Sequence, residues 1–365
     1  MCSVAGFNVM TAKQYAELGG CYLLAIAAGY LAQQINLPLP WMIGPLVITA
    51  LLNLAVVPVD VPVRTRPIGQ MIVAAQVGLY FTADAALAIY SHGVAIVGVA
   101  CLTIIFSFVI SFLLRKLTGS DRVTALLSSI PGGPVEMGNL AIRYGGDPGP
   151  VVFAQTLRIS AIVLLIPAAL YYLLHTPVAD RVLLSAAADP VGILVLSVGA
   201  ALTSSLFYKL RINSPFFLGA LAFSCIATST SLLPVSPFPH AVVGFAQVLL
   251  GTWLGSTFRR ELFRNAGRMI VAIFFTSSLL ILLCAGVALG VASMSDMNWR
   301  VLVLGAAPGS VTEMALTAQY LHEDVALITA FHLVRIFMIL PNIPWVLALV
   351  HRRALRESRR HTCGE

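Results

Sequence analysis

The stretch SSIPGGPVEMGNLA, residues 128–141, interrupts a chain that is otherwise almost continuous hydrocarbon. Two prolines flanking two glycines cannot continue an α-helix, because proline lacks a backbone N–H and glycine is conformationally permissive. A glutamate, Glu136, follows the break at once. A second stretch, GAAPGSVTEMALTA at residues 305–318, repeats the arrangement 177 residues later. These two breaks, each with its own glutamate, decide which fold the sequence predicts.

The composition places both breaks in a membrane. Of the 365 residues, 59% are hydrophobic and only 10% are charged, against about 25% charged in ordinary soluble domains. Apolar runs that approach the ~20 residues needed to cross a bilayer recur along the chain. They fall near residues 18–35, 39–57, 67–90, 93–114, 149–174, 190–208, 214–233, 240–258, 268–292 and 325–350. We therefore predict an all-α polytopic membrane protein with about ten spanning helices, plus two broken or re-entrant helical hairpins at 122–144 and 300–322.

Over most of their length, the two halves of the chain match without a gap at a shift of 177 residues. The match includes polar and special residues, which chance does not place in register so often. Matched pairs include Gln70 with Gln247, Pro131 with Pro308, Gly132 with Gly309, Glu136 with Glu313, Asp147 with Asp324 and Arg158 with Arg335. The chain is thus predicted to hold a first membrane repeat, 1–175, a second, 176–351, and a basic cytoplasmic tail, 352–365.

The distribution of charge indicates that the second repeat is inverted. Lys and Arg concentrate on the cytoplasmic side of membrane proteins. If each broken segment returns to the side that it enters, the loop Lys and Arg fall on one side, except Arg181 and Arg300. If each broken segment crosses once, the same residues divide far more evenly between the two sides. We therefore predict two inverted repeats, with the amino and carboxyl termini in the cytoplasm of a bacterium and the helices in its inner membrane.

The breaks are expected to form a polar site at membrane depth. Each limb of a broken segment reaches about 12–15 Å as a helix, which is half of a hydrocarbon core of about 30 Å. Unpaired backbone groups cannot face lipid, so the tips must lie inside the protein or face water. Candidate binding residues at the tips are therefore Gly132, Gly133, Gly309 and Ser310.

The charged residues near the breaks are the next candidates. Glu136 and Glu313 each lie in the first turn after a break, where a helix favours negative charge. They either cap their helices or help to bind a cation or a proton during transport. Arg158 and Arg335 lie in the helices that follow, and either fix the hairpins as buried pairs or bind an anionic group of the substrate.

Two glutamines complete the predicted site. Gln70 and Gln247 lie among apolar residues of the third helix of each repeat. They either form hydrogen bonds between helices or contact the substrate. The sequence contains no metal-ligand spacing, nucleotide-binding loop or hydrolase motif. We therefore expect no catalytic residue, metal or cofactor.

The duplicated PGG-x-x-EM element and the opening LPLPWMIGP, residues 37–45, resemble the AbrB family of bacterial membrane proteins. The resemblance covers nearly the whole chain. That family is unrelated to the DNA-binding regulator of the same name, is often labelled an ammonia monooxygenase, and has a member described as affecting the expression of another gene. It is distantly similar to inverted-repeat cation–proton antiporters and anion symporters, so the resemblance implies transport without naming a substrate.

Three functions are weighed from the sequence. The favoured one is a secondary transporter of a small anionic or zwitterionic solute, working by alternating access and coupled to H⁺ or Na⁺. The alternative is a membrane sensor or regulator that affects gene expression through a partner. An ammonia monooxygenase is least favoured, because its copper or iron site needs ligands that this chain does not assemble, and we expect no enzyme. The expected partners are a small-molecule or ion substrate, the lipid bilayer and a second copy in a homodimer, but no nucleic acid.

Overall fold

The computed structural model is helical and has no β-strand among the residues that it describes. These are residues 12–348 without 57–58, 60, 63–64, 175–188, 232, 259 and 261–266, so the predicted tail 352–365 lies outside them. A short π-helix, Leu52–Val56, continues the second α-helix. The α-helices are α1 Ala12–Gln34, α2 Pro40–Leu51, α3 Thr65–Gly78, α4 Ala83–Ser91, α5 Gly93–Thr118, α6 Arg122–Ser129, α7 Pro134–Tyr144, α8 Pro148–Leu174, α9 Pro190–Lys209, α10 Pro215–Thr230, α11 His240–Ser256, α12 Gly267–Met294, α13 Trp299–Ala306, α14 Val311–Tyr320 and α15 Val325–Ile339.

The helices have the character of a multi-pass membrane protein, as predicted. Five described segments are long and apolar enough to cross a bilayer, and they span residues 93–118, 148–170, 190–209, 267–294 and 325–348. Large apolar side chains face outward on them, such as Phe112 at 70% exposed and Leu282 at 68%. Because lipid tails solvate such side chains, the polytopic helical fold is confirmed. Ten spans are not shown, since most of the other predicted runs form shorter or bent helices.

One predicted span is sharply bent. The run 67–90 was expected as a single helix, but it divides into α3 and α4, which meet at an angle of 89°. Thr82 starts the second helix, because its hydroxyl oxygen accepts a hydrogen bond from the backbone N–H of Ala85 at 3.2 Å. Such an N-cap satisfies a donor that a continuous helix would have paired internally.

Both predicted broken segments are hairpins. α6 and α7 are separated by residues 130–133, and α13 and α14 by residues 307–310. The ends of the first segment meet, because the N–H of Asp147 donates to the hydroxyl of Thr124 at 2.7 Å. The ends of the second are joined by an ion pair between Arg300 and Glu323 at 3.2 Å. Each segment therefore returns to the place where it began, while the membrane orientation of the two repeats stays a prediction.

The helices pack as two bundles. The scaffold bundle contains α1, α2, α3, α9, α10 and α11, and the hairpin bundle contains α5, α8, α12 and α15 with the two hairpins. Glycines bring the scaffold helices close together. A Cβ on Gly44 would lie 2.5 Å from the carbonyl oxygen of Ala28, and one on Gly219 would lie 2.5 Å from the Cα of Ser204. Small residues permit such approach between membrane helices, so the scaffold bundle is tightly built.

Candidate functional site

A cavity of about 840 Å³, counting its open mouth, lies between the two bundles. The scaffold bundle lines it with Arg66, Gln70, Ser214, Phe217, Leu218, Trp253 and Leu254. The hairpin bundle lines it with both hairpin tips (residues 131–134, 136 and 309–313) and with Ile159, Arg335, Ile336, Ile339 and Leu340. The cavity is mainly apolar with a few polar groups, as is typical of small-molecule sites.

The tip of the first hairpin is held by a glutamine of α8. A broken helix leaves carbonyl and N–H groups that need partners. The side-chain amide of Gln155 donates to the carbonyl of Leu127 at 2.6 Å and to that of Ile130 at 2.8 Å. Its oxygen accepts a hydrogen bond from the N–H of Gly132 at 3.2 Å. One side chain thus supplies donors for two carbonyls of the break and an acceptor for one of its N–H groups.

The tip of the second hairpin is held by a histidine at the equivalent position of α15. A ring nitrogen of His332, Nε2, lies 3.0 Å from the carbonyl oxygen of Leu304. The other ring nitrogen, Nδ1, lies 2.9 Å from a terminal nitrogen of Arg335. An imidazole therefore occupies the position that the amide of Gln155 has in the first hairpin. Together with the neighbouring Arg335 it holds the second tip.

The two predicted arginines are buried and bind the backbone of the breaks. Arg158, only 1% exposed, donates to the carbonyls of Ser128, Ser129 and Ile130 at 3.0–3.3 Å. Arg335 donates to the carbonyl of Ala307 at 2.6 Å and to that of Gly309. Of the two roles left open by the sequence, the structure displays the one in which these side chains fix the hairpins.

The two predicted glutamates face the cavity. Each is the third residue of a half-helix, α7 or α14, where the helix dipole favours a carboxylate. Oε1 of Glu136 lies 4.0 Å from a terminal nitrogen of Arg66 and accepts a hydrogen bond from Ser214 at 3.5 Å. In both glutamates Oε2 is buried without a hydrogen-bond partner among the described residues. Such an atom is costly to leave unpaired.

The cavity brings together eight of the ten predicted site residues. These are Gln70, Gly132, Gly133, Glu136, Gly309, Ser310, Glu313 and Arg335. Arg158 and Gln247 lie outside its lining. Arg158 is fixed at the back of the first tip, and Gln247 lies half-buried on α11. Among the described residues, no three His, Cys, Asp or Glu side chains are grouped as metal ligands.

Three polar or aromatic residues of the cavity were missed by the sequence analysis. Arg66 was counted among the loop charges, but it lies in α3 with its guanidinium 4.4 Å from the ring centre of Trp253. Ser214 starts α10 in the left-handed conformation, at φ 50°. One signal for Arg66 was present, since it precedes Gln70 by four residues and so shares its helix face.

Comparison with known proteins adds a family and two relatives. A family model described as "Transition state regulatory protein AbrB" matches residues 41–351. A protein of Bacillus subtilis (strain 168), "Uncharacterized protein YhjN", is 25% identical over 90% of this chain and 91% of its own. A protein of Escherichia coli (strain K12), "Putative regulator AbrB", is 22% identical over 92% of this chain and 96% of its own. No solved structure matches the chain.

Proposed function

The chain belongs to the AbrB family, and from this premise and the cavity we propose that it is a secondary transporter of a small anionic or zwitterionic solute. The observation that carries the proposal is the position of the cavity, with the scaffold bundle on one side and both hairpin tips on the other. A site between two tightly packed bodies can be opened to either face by moving one body against the other. This movement is alternating access.

The two glutamates are proposed to couple transport to H⁺ or Na⁺. They lie on different hairpins and line one cavity, so a cation bound between them would contact both repeats. Ionisable groups at membrane depth are costly to keep and are therefore functional candidates. We propose no catalytic chemistry and no cofactor for this cavity, which contains residues suited to binding and release.

The location follows from the same proposal. We place the helices in the inner membrane of a bacterium with both termini in the cytoplasm, because this orientation leaves only Arg181 and Arg300 among the loop cations outside. A homodimer, in which the scaffold bundles meet, is proposed as the assembly. Crosslinking in native membranes tests the dimer independently of transport.

Reconstitution into liposomes tests the transport function. The purified chain is assayed with a panel of radiolabelled anions and zwitterions under imposed proton and sodium gradients. We expect gradient-driven uptake of at least one solute, and loss of coupled uptake in Glu136→Gln and Glu313→Gln. The matched control is Asp296→Asn, an exposed carboxylate in the loop between α12 and α13. Unchanged coupled uptake in both glutamate variants would assign these carboxylates to helix capping alone.

A membrane regulator is the second candidate, and the name of the Escherichia coli relative, "Putative regulator AbrB", favours it. Such a role would act through a partner of the loops or of the tail. Absence of flux for every solute in the panel, together with altered gene expression in cells that lack the protein, would favour the regulator.

A further inference from the structure

We infer that the cavity is built for a zwitterion, which binds Arg66 and Gln70 through its anionic group and the two glutamates through its cationic group. The inference rests on the proposed transport function and names the class of solute. It depends on how donors and acceptors are divided between the two sides of the cavity.

The scaffold side of the cavity offers donors. Arg66 and Gln70 lie four residues apart on α3 and both line the cavity, so they share one helix face. In the described part of the chain, the Arg66 guanidinium is engaged only by the 4.0 Å ion pair with Glu136, by Trp253 and by the charge of Glu313. No hydrogen bond is found there for the amide of Gln70. A planar guanidinium with free donors suits a carboxylate.

The hairpin side offers acceptors. The Oε2 atoms of Glu136 and Glu313 are buried and have no hydrogen-bond partner among the described residues. A carboxylate oxygen can only accept, so what these atoms lack is a donor. An ammonium group of the solute would supply it. Ser214 already donates to Oε1 of Glu136, which leaves Oε2 for the solute.

Arg335 is not the group that receives the anion. Although it lines the cavity, its terminal nitrogens bind the carbonyls of Ala307 and Gly309 and the ring of His332. Arg66 therefore remains as the guanidinium with donors to spare. When a cationic group takes the place of Arg66 beside Glu136, Arg66 becomes free to bind the anionic group of the same molecule. Binding of the two charges is thereby coupled.

The balance of charge in the cavity favours a solute that carries a positive and a negative charge on one molecule. Two carboxylates and two guanidiniums line the cavity, namely Glu136, Glu313, Arg66 and Arg335. A simple anion would approach the carboxylates of Glu136 and Glu313, and a simple cation would approach Arg66, so each would leave a charge poorly matched. The walls formed by Phe217, Leu218 and Leu254 are apolar. An α-amino acid with an apolar side chain fits these features, and L-leucine is the probe.

Intrinsic fluorescence of the full chain in detergent measures binding. Trp253 lines the cavity, and Trp253→Phe identifies its share of the signal from the four tryptophans. Three probes differ by one charge: L-leucine, N-acetyl-L-leucine without the ammonium, and L-leucinamide without the carboxylate. We expect L-leucine to bind at least about tenfold more tightly than either analogue, a difference of about 1.4 kcal/mol. Arg66→Gln should weaken the binding of L-leucine but not that of L-leucinamide. Glu313→Gln should weaken the binding of L-leucine but not that of N-acetyl-L-leucine.

Several results would overturn the inference. Tighter binding of N-acetyl-L-leucine would identify an anion site, and tighter binding of L-leucinamide a cation site. No Trp253 signal with either L-leucine or taurine would remove the zwitterion class altogether. The comparison of probes on the unaltered chain is decisive even if a variant does not fold. Uptake of an anion alone into liposomes would refute the zwitterion and leave transport intact, whereas no flux of any solute would refute transport itself.

Discussion

The two hairpin tips perform one structural task with different side chains. In the first, the amide of Gln155 and the guanidinium of Arg158 bind the carbonyls of residues 127–130. In the second, the ring of His332 and the guanidinium of Arg335 bind carbonyls within residues 304–309. The arginine that both tips share indicates that such a break requires a buried cation that donates to several carbonyls. The differing neighbour indicates where the two copies were free to change.

The tips also differ in how they face the cavity. Arg335 lines it while Arg158 does not, and Glu136 has Arg66 and Ser214 beside it. The scaffold bundle adds to this difference between the repeats. The position equivalent to Arg66 is Val243, and the position equivalent to Trp253 is Gln76. A duplicated frame thus encloses an unsymmetrical site, as a solute with two unlike ends requires.

The largest effect is expected from breaking the feature that both tips share. Arg158→Ala and Arg335→Ala each leave several buried carbonyls without donors. Each buried carbonyl left without a donor costs about 1–3 kcal/mol, so both variants should give little monodisperse protein and a markedly lower unfolding temperature. Arg143→Ala, an exposed arginine at the end of α7, is the control. Stability equal to that of the control would mean that the breaks do not depend on their guanidiniums.

A smaller effect is expected from a position at which the tips differ, Gly133 in the first and Ser310 in the second. A Cβ on Gly133 would lie 1.7 Å from Oε2 of Glu136 and 2.6 Å from its carboxyl carbon. The flexible carboxylate can move away, so Gly133→Ala should lower uptake about tenfold, or ~1.4 kcal/mol, at an unchanged unfolding temperature. Gly98→Ala on α5, where an added Cβ would meet no atom within 4 Å, is the control and should retain uptake. Full uptake by Gly133→Ala would remove Glu136 from the binding step.

Effects on stability smaller than those of the arginine variants are expected from exchanging the neighbours of the arginines. His332→Gln should cost less than about 1 kcal/mol, because an amide can donate to the carbonyl of Leu304 as the ring does. Gln155→His should cost more, about 1–3 kcal/mol, because a neutral imidazole has one donor and Gln155 donates to two carbonyls. Unfolding temperatures of the two variants, measured side by side, check the order. The reverse order would show that the number of donors on the side chain does not decide the cost.

The sequence predicted the hairpins well because their determinants are local. Proline and glycine at 131–134 and 308–309 stop a helix whatever surrounds them, and the boundaries 122–144 and 300–322 follow from that. The shift of 177 residues then paired Arg158 with Arg335 and Glu136 with Glu313. The bend between α3 and α4 was missed because its cap, Thr82, resembles any threonine in an apolar run.

The scaffold side of the cavity could not be predicted in the same way. Arg66 and Trp253 have no counterpart in the other repeat, so the duplication gives no signal for them. Their meeting at 4.4 Å depends on how α3 packs against α11, which no local pattern records. Gln247 shows the opposite error, because its match with Gln70 placed it in the site although it lies outside the cavity lining.

Side-specific labelling tests the central claim most directly, namely that two hairpins enter from opposite faces and meet at one cavity. Single cysteines replace Ser120 and Arg143, which flank the first hairpin, and Asp296 and His322, which flank the second, in a background without native cysteines. An impermeant maleimide is applied to sealed vesicles of each orientation. We predict that positions 120 and 143 are labelled from one face and positions 296 and 322 from the other. Labelling of either pair from opposite faces, or of both pairs from the same face, would contradict the account.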